Sequence, residues 1–174
     1  MGRLKDHIRT HSLDSTPGED SASYAELLEI PNEDLAYLAN QCVEKGDGPT
    51  IWFTSPLIGI LKRMKPHDNP DSYRLIALES CFLKAMTILI HWRIADWAKA
   101  RGLIPPWQNG FRPGYRTNNN PFILRCIKEW ARAHGYTLYV AAVDATNTFP
   151  STDQPTLWLK LFRLGMGGAI FDWL

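Results

Sequence analysis

Asp144 lies in the run Tyr-Val-Ala-Ala-Val-Asp-Ala-Thr-Asn-Thr-Phe, residues 139–149. An apolar strand that ends in a carboxylate holds the group rigidly, where it can ligate a divalent metal. Five residues on, the ring of Phe149 can floor a pocket for the sugar of a nucleotide. Many buried strands also end in Asp at a turn, so the pattern takes its meaning from the rest of the chain.

Charge is the first part of that context. The formal net charge of +1 hides an asymmetry. Residues 1–48 carry four Lys/Arg against ten Asp/Glu, a net of −6, and residues 49–174 carry fifteen against eight, a net of +7. The basic part contains the Asp144 motif. A positive field there attracts a polyanion such as nucleic acid or a nucleoside triphosphate, although a solvated surface can carry the same charges. Seven Trp in 174 residues suit either a large core or a surface that stacks bases.

Other chemistries are less well supported. Cys42, Cys81 and Cys126 are far apart within apolar patterns, which reads as reduced, buried thiols of an intracellular protein rather than a disulfide frame or zinc site. His7 and His11 are four apart and share a helix face, but no third ligand is nearby. No apolar leader is evident, and Met1-Gly2 lacks the Ser or Thr at position 6 of a myristoylation signal. The apolar stretch near Met86 to Trp92 is too short to span a bilayer, so no membrane role is expected.

The elements that must position these residues follow from periodicity and punctuation. Residues 1–20 are polar and read as a flexible segment. Helices are expected over Ala22–Glu29 and Glu33–Glu44, the second capped by Asn32 and ended by Gly46 and Gly48. Leu57–Met64 and Tyr73–Leu78 read as two strands of a hairpin around Pro66–Pro70, with Gly59 as a point of close approach. A long helix is expected over Ser80–Ala100, closed by Gly102. Another starts at Asn120 with Pro121 first inside, and Ile123, Cys126, Ile127, Trp130, Ala131 and His134 form its inner stripe. Tyr136–Asp144 is apolar on both faces, the pattern of a covered central strand. A helix over Gln154–Leu164 precedes Gly165, and the final pattern Ala169–Leu174 reads as an apolar half-helix cut short.

From about Ile30 to Leu174 the chain resembles the reverse transcriptase domain of non-LTR, LINE-type retrotransposons. The resemblance rests on ordered blocks: Gly48–Trp52, Gly59–Lys62, Lys65-Pro66, Tyr73–Leu78 with Lys84, Arg93-Ile94, Gln108–Arg112 with Thr117, Val143-Asp144 through Phe149, and Leu157 through Gly165. Each block is short, and their order and spacing together carry the likeness. It implies an α+β fold: a partial right-hand polymerase with a fingers hairpin, several helices and an incomplete palm sheet, truncated at its C-terminus. Residues 21–174 would be the partial domain.

The resemblance also implies roles. Arg74 would reach the triphosphate of the incoming deoxynucleotide, gripping phosphate oxygens through parallel bonds. Lys62 and Lys65 would contact phosphate or template, and Arg112 and Arg116 would add nucleic-acid-binding charge. Asp144 and the carbonyl of Ala145 would ligate Mg²⁺, and Phe149 would collide with a ribose 2′-hydroxyl. The implied partners are an RNA template, a DNA primer and deoxynucleoside triphosphates. The chain departs from the family at Leu75, where Pro is usual, and at Thr148-Phe149-Pro150, where Ala-Phe-Asp is usual. No Asp-Asp pair occurs in the sequence. The expected function is thus a fragment of an RNA-directed DNA polymerase, inactive alone. The alternatives are a non-catalytic nucleic-acid-binding module and a decayed transposon remnant.

Overall fold

A computed structural model of the chain describes residues 1–11, 13–145 and 148–174. Residues 146 and 147 of the Asp144 motif lie outside the described residues. Two compact units are present, one of Met1–Ala95 with Leu164–Leu174 and one of Asp96–Arg163.

In the first unit, α1 (Gly2–His11), α2 (Tyr24–Glu29), α3 (Asn32–Lys45) and the first part of α4 (Cys81–Ala100) surround an apolar core. Leu4, Ile8, Tyr24, Leu27, Leu35, Cys81 and Ala85 form one cluster. Ala39, Cys42, Trp52 and Met86 form the other. Trp52, in the short 3-10 turn Thr50–Phe53, stacks on Phe82 with ring centroids 5.4 Å apart.

The first twenty residues differ from their reading as a flexible segment. Gly2–His11 is helical, and Leu4 and Ile8 are at most 1% exposed. Two apolar residues four apart make a narrow stripe that average composition conceals. Burying each is worth roughly 1.5–3 kcal/mol. Lys5 is also buried, and its ammonium donates to the Leu28 carbonyl at 3.0 Å and to that of Ile30, just past the end of α2. Residues 15–20 then meet the start of α4. Lys84 Nζ donates to the Thr16 carbonyl at 2.9 Å, and the Ser80 hydroxyl donates to Asp20 at 2.6 Å.

Helix starts are partly as expected. α2 opens with a reciprocal capping box between Ser23 and Glu26. α3 begins at Asn32 itself, after Pro31, without a side-chain cap. Asn32 is therefore a helical residue and not the cap. Gly46 ends α3 at φ +62°, where a Cβ is disfavoured.

The hairpin is antiparallel: β1 (Leu57–Leu61) pairs with β2 (Tyr73–Ala77) in the register Ile58↔Ile76 and Ile60↔Arg74. Gly59 does mark a close approach, since a Cβ there would stand 3.2 Å from the Tyr73 ring. The final helix α7 (Ala169–Trp173) is not an unpaired apolar end. It packs on α3, Trp173 joins the Ala39–Met86 cluster, and its ring lies 6.2 Å from that of Phe53.

The second unit holds the end of α4, α5 (Asn119–Ala133) and α6 (Gln154–Arg163). Here the sequence reading needs three corrections. Residues 136–145 form no strand and are exposed, with Val143 at 95%. A central strand needs neighbours to satisfy its backbone, and among the described residues the sheet consists of β1 and β2 alone. α5 starts at Asn119, so Pro121 is its third residue, still within the turn whose N–H groups have no helical partner. Its expected inner stripe is exposed at Ile123, Cys126, Ile127 and Trp130, and only Ala131 is buried. Trp130 stacks instead on His134 and Tyr136, at 4.7 and 5.5 Å. Helices with one small antiparallel sheet are compatible with the α+β class.

Candidate functional site

The hairpin presents Arg74, exposed on β2 across from Ile60. Lys62, one residue past β1, is committed to the hairpin itself. Its backbone N–H donates to the Ser72 carbonyl at 2.7 Å, and its ammonium donates to the Asp71 carbonyl at 2.8 Å. The Tyr73 hydroxyl adds a bond to the His67 carbonyl at 3.0 Å, and Asn69 caps the 3-10 turn Pro70–Ser72 through the Asp71 N–H. This turn is therefore organised by its own polar groups. Lys65 donates its backbone N–H to Lys62 at 3.1 Å and keeps an exposed side chain.

In the second unit Asp144 is exposed. The Ala145 carbonyl accepts from the Thr148 hydroxyl at 2.9 Å, and the Thr152 N–H donates to the Phe149 carbonyl at 3.2 Å. Phe149 is 77% exposed, and its ring meets that of Phe111 edge-on, 6.3 Å between centroids and 75° between planes. Arg112 donates from one guanidinium nitrogen to the carbonyls of Pro105 and Gln108, both at 3.2 Å, and lies 4.4 Å over the Tyr115 ring. It organises the loop before α5. Arg116 is exposed, and its carbonyl accepts from Asn119 N–H at 3.0 Å.

These donors do not fit a self-contained magnesium site. Mg²⁺ requires near-octahedral oxygen ligation. The chain offers the Asp144 carboxylate and a carbonyl at Ala145 that already accepts a hydrogen bond. No group of three or more His, Cys, Asp or Glu side chains that could hold a metal occurs among the described residues. His7 and His11 stack at 4.6 Å, His11 Nδ1 lies 3.2 Å from the His7 carbonyl, and His7 sets its ring against the edge or face of Trp92 at 5.5 Å. That pair serves packing between α1 and α4.

Burial raises the thiol pKa values of Cys42 and Cys81, in each case as the largest cause. Both are buried as expected, whereas Cys126 is exposed, contrary to its reading from the pattern. Phe111 was given no role by sequence reasoning. The available signal was a bulky ring between Gly110 and Pro113-Gly114, in a loop where nothing else calls for one.

Comparison with known proteins defines the class. The chain is a homologue of the RNA-directed DNA polymerases of non-LTR retrotransposons, the reverse transcriptases of LINE-type elements. It is 31% identical over 172 residues, 94% of its length, to the RNA-directed DNA polymerase from mobile element jockey of Drosophila melanogaster. It is 34% identical over 113 residues, 63% of its length, to the probable RNA-directed DNA polymerase from transposon BS of the same species. The chain spans 18% and 12% of the lengths of these two relatives. No protein-family model matches it. Among the described residues no helix is long and apolar enough to cross a membrane.

Proposed function

We propose that this chain is the fingers and the first part of the palm of a right-hand RNA-directed DNA polymerase from a LINE-type element. The identity to the jockey polymerase, running through 94% of the chain, carries the reading. On it, the exposed Arg74 guanidinium grips the triphosphate of a deoxynucleotide, and Lys65, with Arg116, contributes charge toward the phosphates of an RNA template and DNA primer. Lys62 and Arg112 contribute less directly, because each already donates to backbone carbonyls. Phe149 excludes a ribose 2′-hydroxyl. Asp144 supplies one carboxylate toward the divalent metal that such polymerases use, and the shortfall in donors means that this chain does not carry out synthesis alone. That shortfall also favours a second reading, a nucleic-acid-binding module without catalysis.

Both readings require the chain to bind nucleic acid through phosphate. Fluorescence anisotropy of the 174-residue chain with a labelled single-stranded RNA should show weak binding that falls steeply between about 50 and 200 mM salt. Affinity unchanged over that range would contradict the electrostatic footprint.

A further inference from the structure

We infer that Phe111 is a positioning residue that holds the ring of Phe149 in place from the side. The inference rests on the reading of Phe149 as the ring that meets the sugar. Phe111 has φ +60°, a region that a bulky side chain rarely adopts. It is also 92% exposed, so burial does not offset that conformation. What the conformation achieves is the edge-on meeting with Phe149. Edge-to-face contact is the favoured geometry of an aromatic pair, with the positive rim of one ring against the negative face of the other.

Both backbones are held while the rings meet. On the Phe111 side, the next residue, Arg112, bonds the carbonyls of Pro105 and Gln108, Gln108 N–H donates to Pro105 at 3.1 Å, and Tyr115 N–H donates to Arg112 at 3.2 Å. On the Phe149 side, the Thr152 hydroxyl donates to Thr148 and its N–H to Phe149. A ring that is three-quarters exposed swings aside when a ligand presses on it, unless something stands beside it. Phe111 stands there. A ring that cannot swing discriminates a hydroxyl from a hydrogen better than one that can.

The strained φ supplies a clean variant. Phe111→Gly removes the ring and relaxes the backbone, because glycine adopts φ +60° freely. Phe111→Tyr keeps the ring. The full chain, grown with 4-fluorophenylalanine, gives a ¹⁹F resonance for Phe149 that is assigned by its loss in Phe149→Leu. The expected result is that this resonance moves to the position of free fluorophenylalanine in Phe111→Gly, stays displaced in Phe111→Tyr, and leaves the remaining resonances unmoved in both. An unmoved Phe149 resonance in Phe111→Gly would overturn the inference. Competition between dATP and ATP, followed by saturation-transfer NMR, tests the underlying reading separately. A preference for dATP that is lost in Phe149→Ala and several-fold weaker in Phe111→Gly supports both. A preference lost in Phe149→Ala and intact in Phe111→Gly sinks the positioning role alone, and one indifferent to Phe149→Ala sinks the sugar-gate reading, leaving the ¹⁹F result to decide the contact.

Discussion

The hydroxyl of Ser80 donates to the carboxylate of Asp20 at 2.6 Å across sixty residues of chain, while accepting from the Phe82 N–H at 3.1 Å. One buried serine therefore caps the start of α4 and ties residues 15–20 to it. Gly18 belongs to the same contact, since a Cβ at that position would stand 2.5 Å from the Ser80 nitrogen.

Two substitutions should expose this tie. Ser80→Ala is expected to cost about 0.5–2 kcal/mol, the usual loss of a helix cap. Gly18→Ala forces a methyl into backbone and is expected to cost about 1–3 kcal/mol, as overpacking does. Urea titration measures both, with Gly2→Ala, where a Cβ meets nothing within 4 Å, as the neutral comparison. Unchanged midpoints in Ser80→Ala and Gly18→Ala would show that the opening residues do not dock on α4 in solution.

Tyr24 should make stability depend on alkaline pH. Burial, reinforced by Cys81 and Glu79, pushes its phenol up to about 12 from an ordinary value of 10.0. The folded state thus keeps a proton that the unfolded state releases. The resulting stabilisation is complete below pH 10 and is lost as pH rises toward 12, by at most about 2–3 kcal/mol. Tyr24→Phe should flatten that part of the stability-versus-pH curve. A wild-type curve that parallels the variant's between pH 10 and 12 would argue against a buried phenol.

Arg74 and Lys62 should separate binding from folding. Arg74 is exposed, so Arg74→Ala is expected to change stability by no more than about 0.5 kcal/mol. It should weaken deoxynucleoside triphosphate binding about tenfold or more, the worth of a charged hydrogen bond. Lys62→Met removes the bond to the Asp71 carbonyl and should lower stability by up to about 1 kcal/mol, with a smaller effect on binding. Calorimetric titration and thermal melting of the two variants decide this, and the reverse pattern would exchange their roles.

Primer extension on an RNA template with magnesium should yield no product from this chain, with or without Asp144→Asn. One carboxylate offers too few oxygens to offset two divalent cations. Synthesis by the unaltered chain that Asp144→Asn abolishes would show that the carboxylates present suffice.

The elements whose signals are local were legible. The hairpin announced itself through β-rich runs on either side of a proline-bounded turn, and its pairing is as read. Gly46, Gly102, Gly135 and Gly165 all have positive φ at or near helix ends, because that conformation is a property of glycine itself. What depends on distant partners was not legible. The apolar run Tyr136–Asp144 has the composition of a covered strand, but composition cannot supply the neighbouring strands. The packing of Leu4 and Ile8 was hidden in the opposite way, by polar residues around a stripe two side chains wide. At the candidate site, Asp144, Arg74 and Phe149 were singled out by residue type and order alone, and the structure shows each of them exposed. Sequence could not show that Lys62 and Arg112 spend hydrogen bonds on their own loops, nor that Phe111 reaches Phe149, since both follow from backbone conformation.

The hairpin has a further consequence for handling the molecule. Among the described residues its two strands pair only with each other, and Leu57, Ile58, Leu75 and Ile76 are exposed on them. Each strand therefore keeps an outer row of free N–H and C=O groups beside apolar side chains, which is a template for another chain to add to. Natural sheets blunt an edge of this kind with a lysine or a proline, and either residue on the outer edge of β1 would spoil the template while leaving the β1–β2 pairing in place.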